Sequence, residues 1–264
     1  MKVFNDAIKV DNYEVKGDHN NVISNTESDI LSLMKSRKEL PNNPNICYLN
    51  INSLGNKIDG VREFCFKIPV DIFCVDETKL DSSYPDSQFY ISGYQFPPIR
   101  KDRDKNGGGK LIYIRDGIMA KRLESLEKEN IETICLEITI SKKKWCVTFA
   151  YRPPQNSNKA EFFNELSISL NKVTIQYENI MVIGDLNIDI SDKSKDTYNY
   201  LSDFCDTFSL KNIILGNTCF KKQTGTSIDV MLTNRPKSFL RTGIFETGLS
   251  DHHKLILSFF RSHF

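Results

Sequence analysis

The chain is expected to fold as a layered α/β sandwich, two packed sheets with helices outside them. Short apolar runs of strand length recur between residues 46 and 260, far more often than stripes with helical spacing. The few helical stripes lie between those runs instead of in one block, so helices and strands must share a core. At 264 residues, with 39% hydrophobic and 11% aromatic side chains, the chain can bury such a core as one domain.

Residues 1 to about 22 are polar and end in Gly17-Asp18-His19-Asn20-Asn21, which reads as a loose extension. Thr26 with Asp29 forms a capping box ahead of Ile30, Leu31, Leu33 and Met34, predicting a helix to about Lys38 that Pro41 and Pro44 end. Residues 1–44 are thus an extension with one helix, and residues 45–264 the main domain. Ile46 to Leu49 predicts a strand, Ile58, Val61 and Cys65 a helix, and Asp71 to Val75 a second strand. Further strands are expected at Leu111 to Ile114, Ile131 to Ile140 and Trp145 to Tyr151. Phe162, Phe163, Leu166, Leu170 and Val173 stripe a longer helix, followed by a strand at Ile180 to Ile183. A helix carrying Leu201, Phe204, Cys205 and Phe208 precedes strands at Ile213 to Leu215, Ile228 to Thr233 and Leu255 to Phe260.

Thirty-five basic against thirty-four acidic residues leave +1, so a polyanionic partner would have to meet a local patch. The candidates are Arg100, Lys101, Arg103, Lys105 and Lys110, then Lys142-Lys143-Lys144, then Lys221-Lys222. Seven cysteines without a C-x-x-C spacing, mostly inside apolar runs, read as buried free thiols in a reducing, intracellular compartment. No stretch has the length of a membrane span, and no membrane partner is expected.

The ends of the apolar runs carry the functional signal. Asn50 follows the first strand, Asp76-Glu77 the second, and Tyr151 closes another; Gly184-Asp185-Leu186-Asn187 follows Ile180-Met181-Val182-Ile183. Asp229 opens a late strand, and Ser250-Asp251-His252 precedes the last one. Polar groups at several strand ends can converge in one cleft at a sheet edge. Each has a bland alternative, such as Asn50 capping a turn or Asp185 and Asn187 bonding local backbone, but coincidence at six strand ends is less plausible than a shared site.

These residue types suit metal-assisted attack on a phosphodiester. A hard cation such as Mg²⁺ takes a few carboxylate or carbonyl oxygens, which Glu77, Asp251 and Asn50 can offer. Asp185 can deprotonate a water, while Asn187 and Tyr151 can donate to the phosphate. His252, held by Asp229, can keep a positive charge near a dianionic transition state. His253 is expected to be structural.

Together, Leu49-Asn50-Ile51-Asn52-Ser53-Leu54, Asp76-Glu77-Thr78-Lys79-Leu80, Gly107-Gly108-Gly109, Tyr151-Arg152-Pro153-Pro154, Gly184-Asp185-Leu186-Asn187, Ile228-Asp229 and Ser250-Asp251-His252 resemble the ordered motifs of the endonuclease/exonuclease/phosphatase superfamily. The triple glycine and Tyr-Arg-Pro-Pro are most similar to the apurinic-endonuclease-like domain of non-LTR (LINE-type) retrotransposons. The resemblance spans about residues 45 to 260. It implies a four-layer α/β sandwich of two mixed sheets flanked by helices. It also implies a Mg²⁺-dependent (or Mn²⁺-dependent) nuclease that nicks duplex DNA in the nucleus and leaves a 3′-hydroxyl to prime reverse transcription. By motif, Asn50, Glu77 and Asp251 fall on the metal side and His252 pairs with Asp229. Asp185 and Asn187 activate the nucleophile and hold the phosphate, Tyr151 contacts the phosphate, and Thr218 matches a substrate-side position. Asn52 stands where repair enzymes of the superfamily carry an aspartate. The sequence contains no Asp-Asp pair of a polymerase box, so a polyprotein fragment or a stand-alone relative is expected. Two competing readings keep this fold: a phosphoesterase acting on a lipid, inositol or RNA phosphate, and a catalytically silent, retroelement-derived binding module.

Overall fold

A computed structural model of the chain describes residues 26–154, 158–221 and 224–261. The elements run α1 (Thr26–Glu39), β1 (Asn45–Asn50), α2 (Ile58–Lys67), β2 (Ile72–Asp76), β3 (Ile99–Lys101), β4 (Lys110–Ile114), β5 (Ala120–Arg122) and β6 (Glu132–Ile140). Then come β7 (Lys143–Tyr151), α3 (Lys159–Gln176), β8 (Asn179–Asp185), α4 (Asp196–Thr207), β9 (Lys211–Asn212), β10 (Asp229–Thr233), β11 (Phe239–Phe245) and β12 (Leu255–Phe260). Two six-stranded sheets result, in the orders β11-β12-β1-β2-β4-β3 and β5-β6-β7-β8-β10-β9. Both are mixed. Each holds one parallel pair, β1 with β2 and β7 with β8, and each pair is joined by the helical crossover that parallel strands require.

Strand alternation distributes the apolar residues among three core layers. In β1, Ile46 and Tyr48 face the other sheet and share a core layer with its Trp145, Phe149 and Met231 and with Ile112 and Phe260 of their own sheet. Cys47 and Leu49 face outward against Leu33 of α1 and Val61 and Phe64 of α2. On the far side Phe162 and Leu166 of α3 and Phe204 of α4 cover Val182 and Leu232. Helices, sheet, sheet and helices therefore form the expected four layers. Because both faces of the central strands are covered, their sequences read as continuous apolar runs, and each large side chain so buried contributes about 1.5–3 kcal/mol.

The structure departs from the expected elements at the sheet margins. The strands β3, β5 and β11 have no counterpart among the predicted ones, and β9 occupies Lys211–Asn212, just ahead of the predicted Ile213 to Leu215. All four are edge strands. Such strands pair on one side only and need no apolar alternation, so Ala120-Lys121-Arg122 carries no strand signal. The amino-terminal helix belongs to the fold: Leu33 is fully buried, Glu246 N–H donates to Asp29 Oδ2 at 2.6 Å, and Asn43 Nδ2 donates to Phe260 O at 2.7 Å. The side chains of Thr26 and Ile30, the Gly17–Asn21 stretch and Lys222 lie outside the described residues. All seven cysteines are free and buried. No helix among the described residues is long and apolar enough to cross a membrane.

Candidate active site

The strands β1, β2, β7 and β8 end, and β10 begins, at one edge of the sandwich, and the chain bends sharply there. Asn52, Glu77 and Asn187 take φ of 51°, 52° and 49°, left-handed conformations that cost free energy in residues with a Cβ and that collect at functional sites. Gly184 has φ 152°, and a Cβ on it would lie 1.7 Å from Ala150 O, so only glycine lets β8 pass β7 at this level.

Asn50 ties the two sheets together at this edge. Its Nδ2 donates to Glu77 Oε1 at 3.1 Å and to Asp185 Oδ2 at 3.0 Å. The Tyr151 hydroxyl donates to the same Glu77 Oε1 at 2.8 Å. Burial pushes the Glu77 carboxyl up, but the bonds from Asn50 and Tyr151 and the charges of Lys221 and Lys79 outweigh it, leaving the group below its ordinary value. Tyr151 stays a proton donor, since burial and then the Glu77 charge hold its phenol far above the usual range.

Asp185 and Asp229 are directly opposed on the antiparallel pair β8 and β10. Their carboxylates and the imidazole of His253 lie within 4.8 Å of one another, all buried. His253 Nδ1 is 3.3 Å from Asp229 Oδ2 and its Nε2 is 3.5 Å from Cys219 Sγ. Burial lowers the affinity of that ring for its proton, but the Asp229 and Cys219 contacts and the charges of Asp229 and Asp185 raise it well above the usual histidine value. For Asp185, burial and then the Asp229 carboxylate drive the carboxyl upward, against the His253 charge and the bonds from Asn187 N–H and Asn50. A carboxyl raised from its ordinary range toward neutrality is suited to taking a proton from water.

The structure thus corrects the histidine assignment. His252 is exposed, whereas His253 faces Asp229. The reason is register: residues 250–252 form a surface turn, His253 N–H returns to Ser250 Oγ at 3.3 Å, and His253 bridges Cys219 before β12 begins. Two adjacent histidines differ only in which one the pairing turns inward. Asp251 is likewise exposed and contacts Lys57 Nζ at 3.4 Å; that ammonium donates to Ile51 O at 2.8 Å, so Asp251 stands at the rim and contacts neither Glu77 nor Asn50. Thr218, expected at the substrate side, is fully buried, and its Oγ1 accepts the Asp229 N–H at 3.2 Å. It braces Asp229 from below.

Asn187 makes local backbone bonds. Its N–H donates to Asp185 Oδ1 at 2.8 Å and its Nδ2 to Arg152 O at 2.8 Å, and the side chain remains partly exposed. Arg152 escaped the sequence reading as a site residue. It is 2% exposed and donates from Nε to Leu186 O at 2.7 Å and from Nη2 to Asn187 O at 2.8 Å, clamping the loop that carries Asp185. Its place beside Tyr151 was the available signal.

A hard divalent cation fits this donor set. Glu77 Oε2 has no bonding partner among the described residues, and Asp229 Oδ1 is buried without one. Glu77 is half-buried and Asp229 fully buried, and carboxylate oxygens without a hydrogen-bond partner are the ligands that such a cation favours.

Residues 47–252 match the family described as Endonuclease/Exonuclease/phosphatase. Comparison with curated proteins found no match. Among solved structures, the fold is similar to a 3′ phosphatase, NExo, from Neisseria, bound to a product DNA hairpin, with 17% identity, TM-score 0.66 and coverage of 83% of this chain and 99% of that one. An AP endonuclease, LMAP, from Leishmania major aligns with 13% identity and TM-score 0.69, covering 89% and 98% of the two chains. The endonuclease domain of TRAS1, a telomere-specific non-LTR retrotransposon, aligns with 12% identity and TM-score 0.66, covering 83% and 98%.

Proposed function

Because the chain belongs to the endonuclease/exonuclease/phosphatase family, we propose that its site cleaves DNA: a Mg²⁺-dependent endonuclease that hydrolyses a phosphodiester and leaves a 3′-hydroxyl nick, as a non-LTR retrotransposon would need to prime reverse transcription. The observation that carries the phosphodiesterase reading is the Asn50 amide, which joins Glu77 and Asp185 at 3.1 and 3.0 Å and so sets a candidate metal carboxylate and a candidate base on one reacting centre. The likeness to a retrotransposon endonuclease domain and to a phosphatase holding a DNA hairpin supports DNA as substrate.

In this reading Asp185 accepts a proton from the attacking water, its Oδ2 aimed by Asn50 and its Oδ1 by the Asn187 N–H. The water oxygen bonds to phosphorus, the P–O3′ bond breaks with its electron pair going to the 3′ oxygen, and that oxygen takes a proton from solvent water to become the 3′-hydroxyl while the phosphate stays on the 5′ end of the other fragment. His253, kept cationic by Asp229, offsets charge growing on the phosphoryl oxygens. Glu77 with Asn50 would hold Mg²⁺, which when bound shares the phosphate's negative charge. Tyr151 fixes Glu77 in that orientation through its hydroxyl.

The test is plasmid nicking with and without Mg²⁺ by wild type, Asp185→Ala and His253→Ala. Undiminished nicking by both variants would sink the reading. Parallel turnover of duplex DNA, RNA and inositol phosphates assigns the substrate, and a preference for either of the last two overturns the DNA assignment.

A further inference from the structure

Lys110 is a fully buried cation one strand away from Glu77. Asn50, Asp76 and Lys110 stand side by side as direct partners across β1, β2 and β4. Lys110 Nζ donates to Asp76 Oδ1 at 2.6 Å, and the Tyr48 hydroxyl holds the other oxygen, Oδ2, at 3.0 Å. The same ammonium lies over the Tyr151 ring, 5.6 Å from its centroid, with Arg103 over that ring at 5.9 Å. Just beyond this row the triple glycine continues the ladder: Thr78 N–H donates to Gly109 O at 3.1 Å and Lys79 N–H to Gly108 O at 3.0 Å. Gly109 has φ 84°, and a Cβ there would meet Thr78 Oγ1 at 2.5 Å. Glu77, in its left-handed conformation, is therefore fixed on both sides by contacts from β4 and the glycines before it.

A buried ion pair is a poor device for stability, because desolvating two charges offsets most of their attraction and an apolar pair of similar size does as well. The placement suits another purpose. A cation over an aromatic face is attracted to the ring and holds its plane, and this ring carries the hydroxyl that bonds Glu77.

We propose that Lys110 is a positioning residue of the site: clamped by Asp76 and set over the Tyr151 ring, it fixes the Tyr151 hydroxyl on Glu77 and so prepares Glu77 for the divalent cation. The inference rests on the phosphodiesterase reading above. Lys110 touches neither substrate nor metal; it acts through Tyr151 and through the backbone of Asp76.

The experiment compares wild type, Lys110→Met, the charge-free double variant Asp76→Leu/Lys110→Met, and Tyr151→Phe. Thermal unfolding, Mg²⁺ binding by calorimetry, and kcat and KM on a duplex oligonucleotide are read for each. Lys110→Met alone leaves Asp76 buried and unpaired and is expected to lose stability; the double variant recovers it. Despite that recovery, the double variant is expected to bind Mg²⁺ about 10-fold more weakly and to lose about 10- to 100-fold in kcat, as Tyr151→Phe does, with KM for DNA unchanged. A stable double variant with wild-type Mg²⁺ affinity and kcat overturns the inference and leaves the phosphodiesterase reading standing. A wild type that neither binds Mg²⁺ nor cleaves overturns both.

Discussion

His253, the residue after the Ser-Asp-His motif, sets its Nδ1 3.3 Å from Asp229 Oδ2 with both groups buried. Two carboxylates opposed on neighbouring strands would repel strongly there, and a cationic imidazole beside them offsets part of that charge.

Exchanging the two histidines separately distinguishes motif from register. His253→Ala should lower kcat by about 10²- to 10⁴-fold, the usual contribution of a positioned acid–base or charge-stabilising group. His252→Ala should stay within a few-fold of wild type. Single-turnover nicking rates measure both, and equal losses would contradict the geometry.

The same pair makes stability pH-dependent. The His253 proton is held to about 10 in the folded chain, above the unfolded value of about 6.5. A raised folded pKa stabilises fully below the unfolded value and loses that contribution as pH rises toward the folded one. Asp185, also raised, acts in the same direction from about pH 4 upward. The melting temperature without added metal should therefore fall between about pH 6.5 and 8, a window below the ordinary thiol titration. His253→Gln should flatten that slope. Calorimetric scans at half-unit pH intervals provide the check.

Asn50→Ala removes the donor shared by Glu77 and Asp185. Each carboxylate then loses one orienting bond in a buried site, and the apparent Mg²⁺ affinity should drop about 10- to 100-fold. An isothermal titration showing unchanged affinity would mean that Glu77 does not depend on Asn50 for its orientation.

Gly184→Ala should be among the most damaging single-atom additions in the protein. The new methyl would overlap Ala150 O in the central β7–β8 pair, beside Asp185. A loss of about 3 kcal/mol or more is expected from overpacking and backbone strain together. Urea unfolding reads it directly.

Leu33→Ala tests whether α1 belongs to the domain. Leu33 is fully buried against the first sheet, so truncation should cost about 2–5 kcal/mol. A change near zero in the denaturant midpoint would mean that α1 adds nothing to the stability of the domain.

The interior of the sandwich was legible because its signals are local. Runs such as Ile72-Phe73-Cys74-Val75 and Ile180-Met181-Val182-Ile183 are apolar because both faces of those strands are covered, and the stripe from Phe162 to Val173 follows from one covered helix face. The edge strands were not legible, since Ile99-Arg100-Lys101 and Ala120-Lys121-Arg122 owe their conformation to a neighbour on one side. Phe239–Phe245 is only partly buried and contains Gly243, which hides it from any apolar pattern.

The sequence by itself determined the layered fold and the positions of Asn50, Glu77, Tyr151, Asp185 and Asp229 at strand ends, because strand termini follow from where an apolar run stops. Only the tertiary structure decided that His253 and not His252 meets Asp229, that Asp251 lies at the rim, that Thr218 points inward, and that Lys110 and Arg152 support the site from beneath. Those outcomes depend on strand register and on contacts between residues far apart in the chain, where a shift of one position reverses the direction of every side chain.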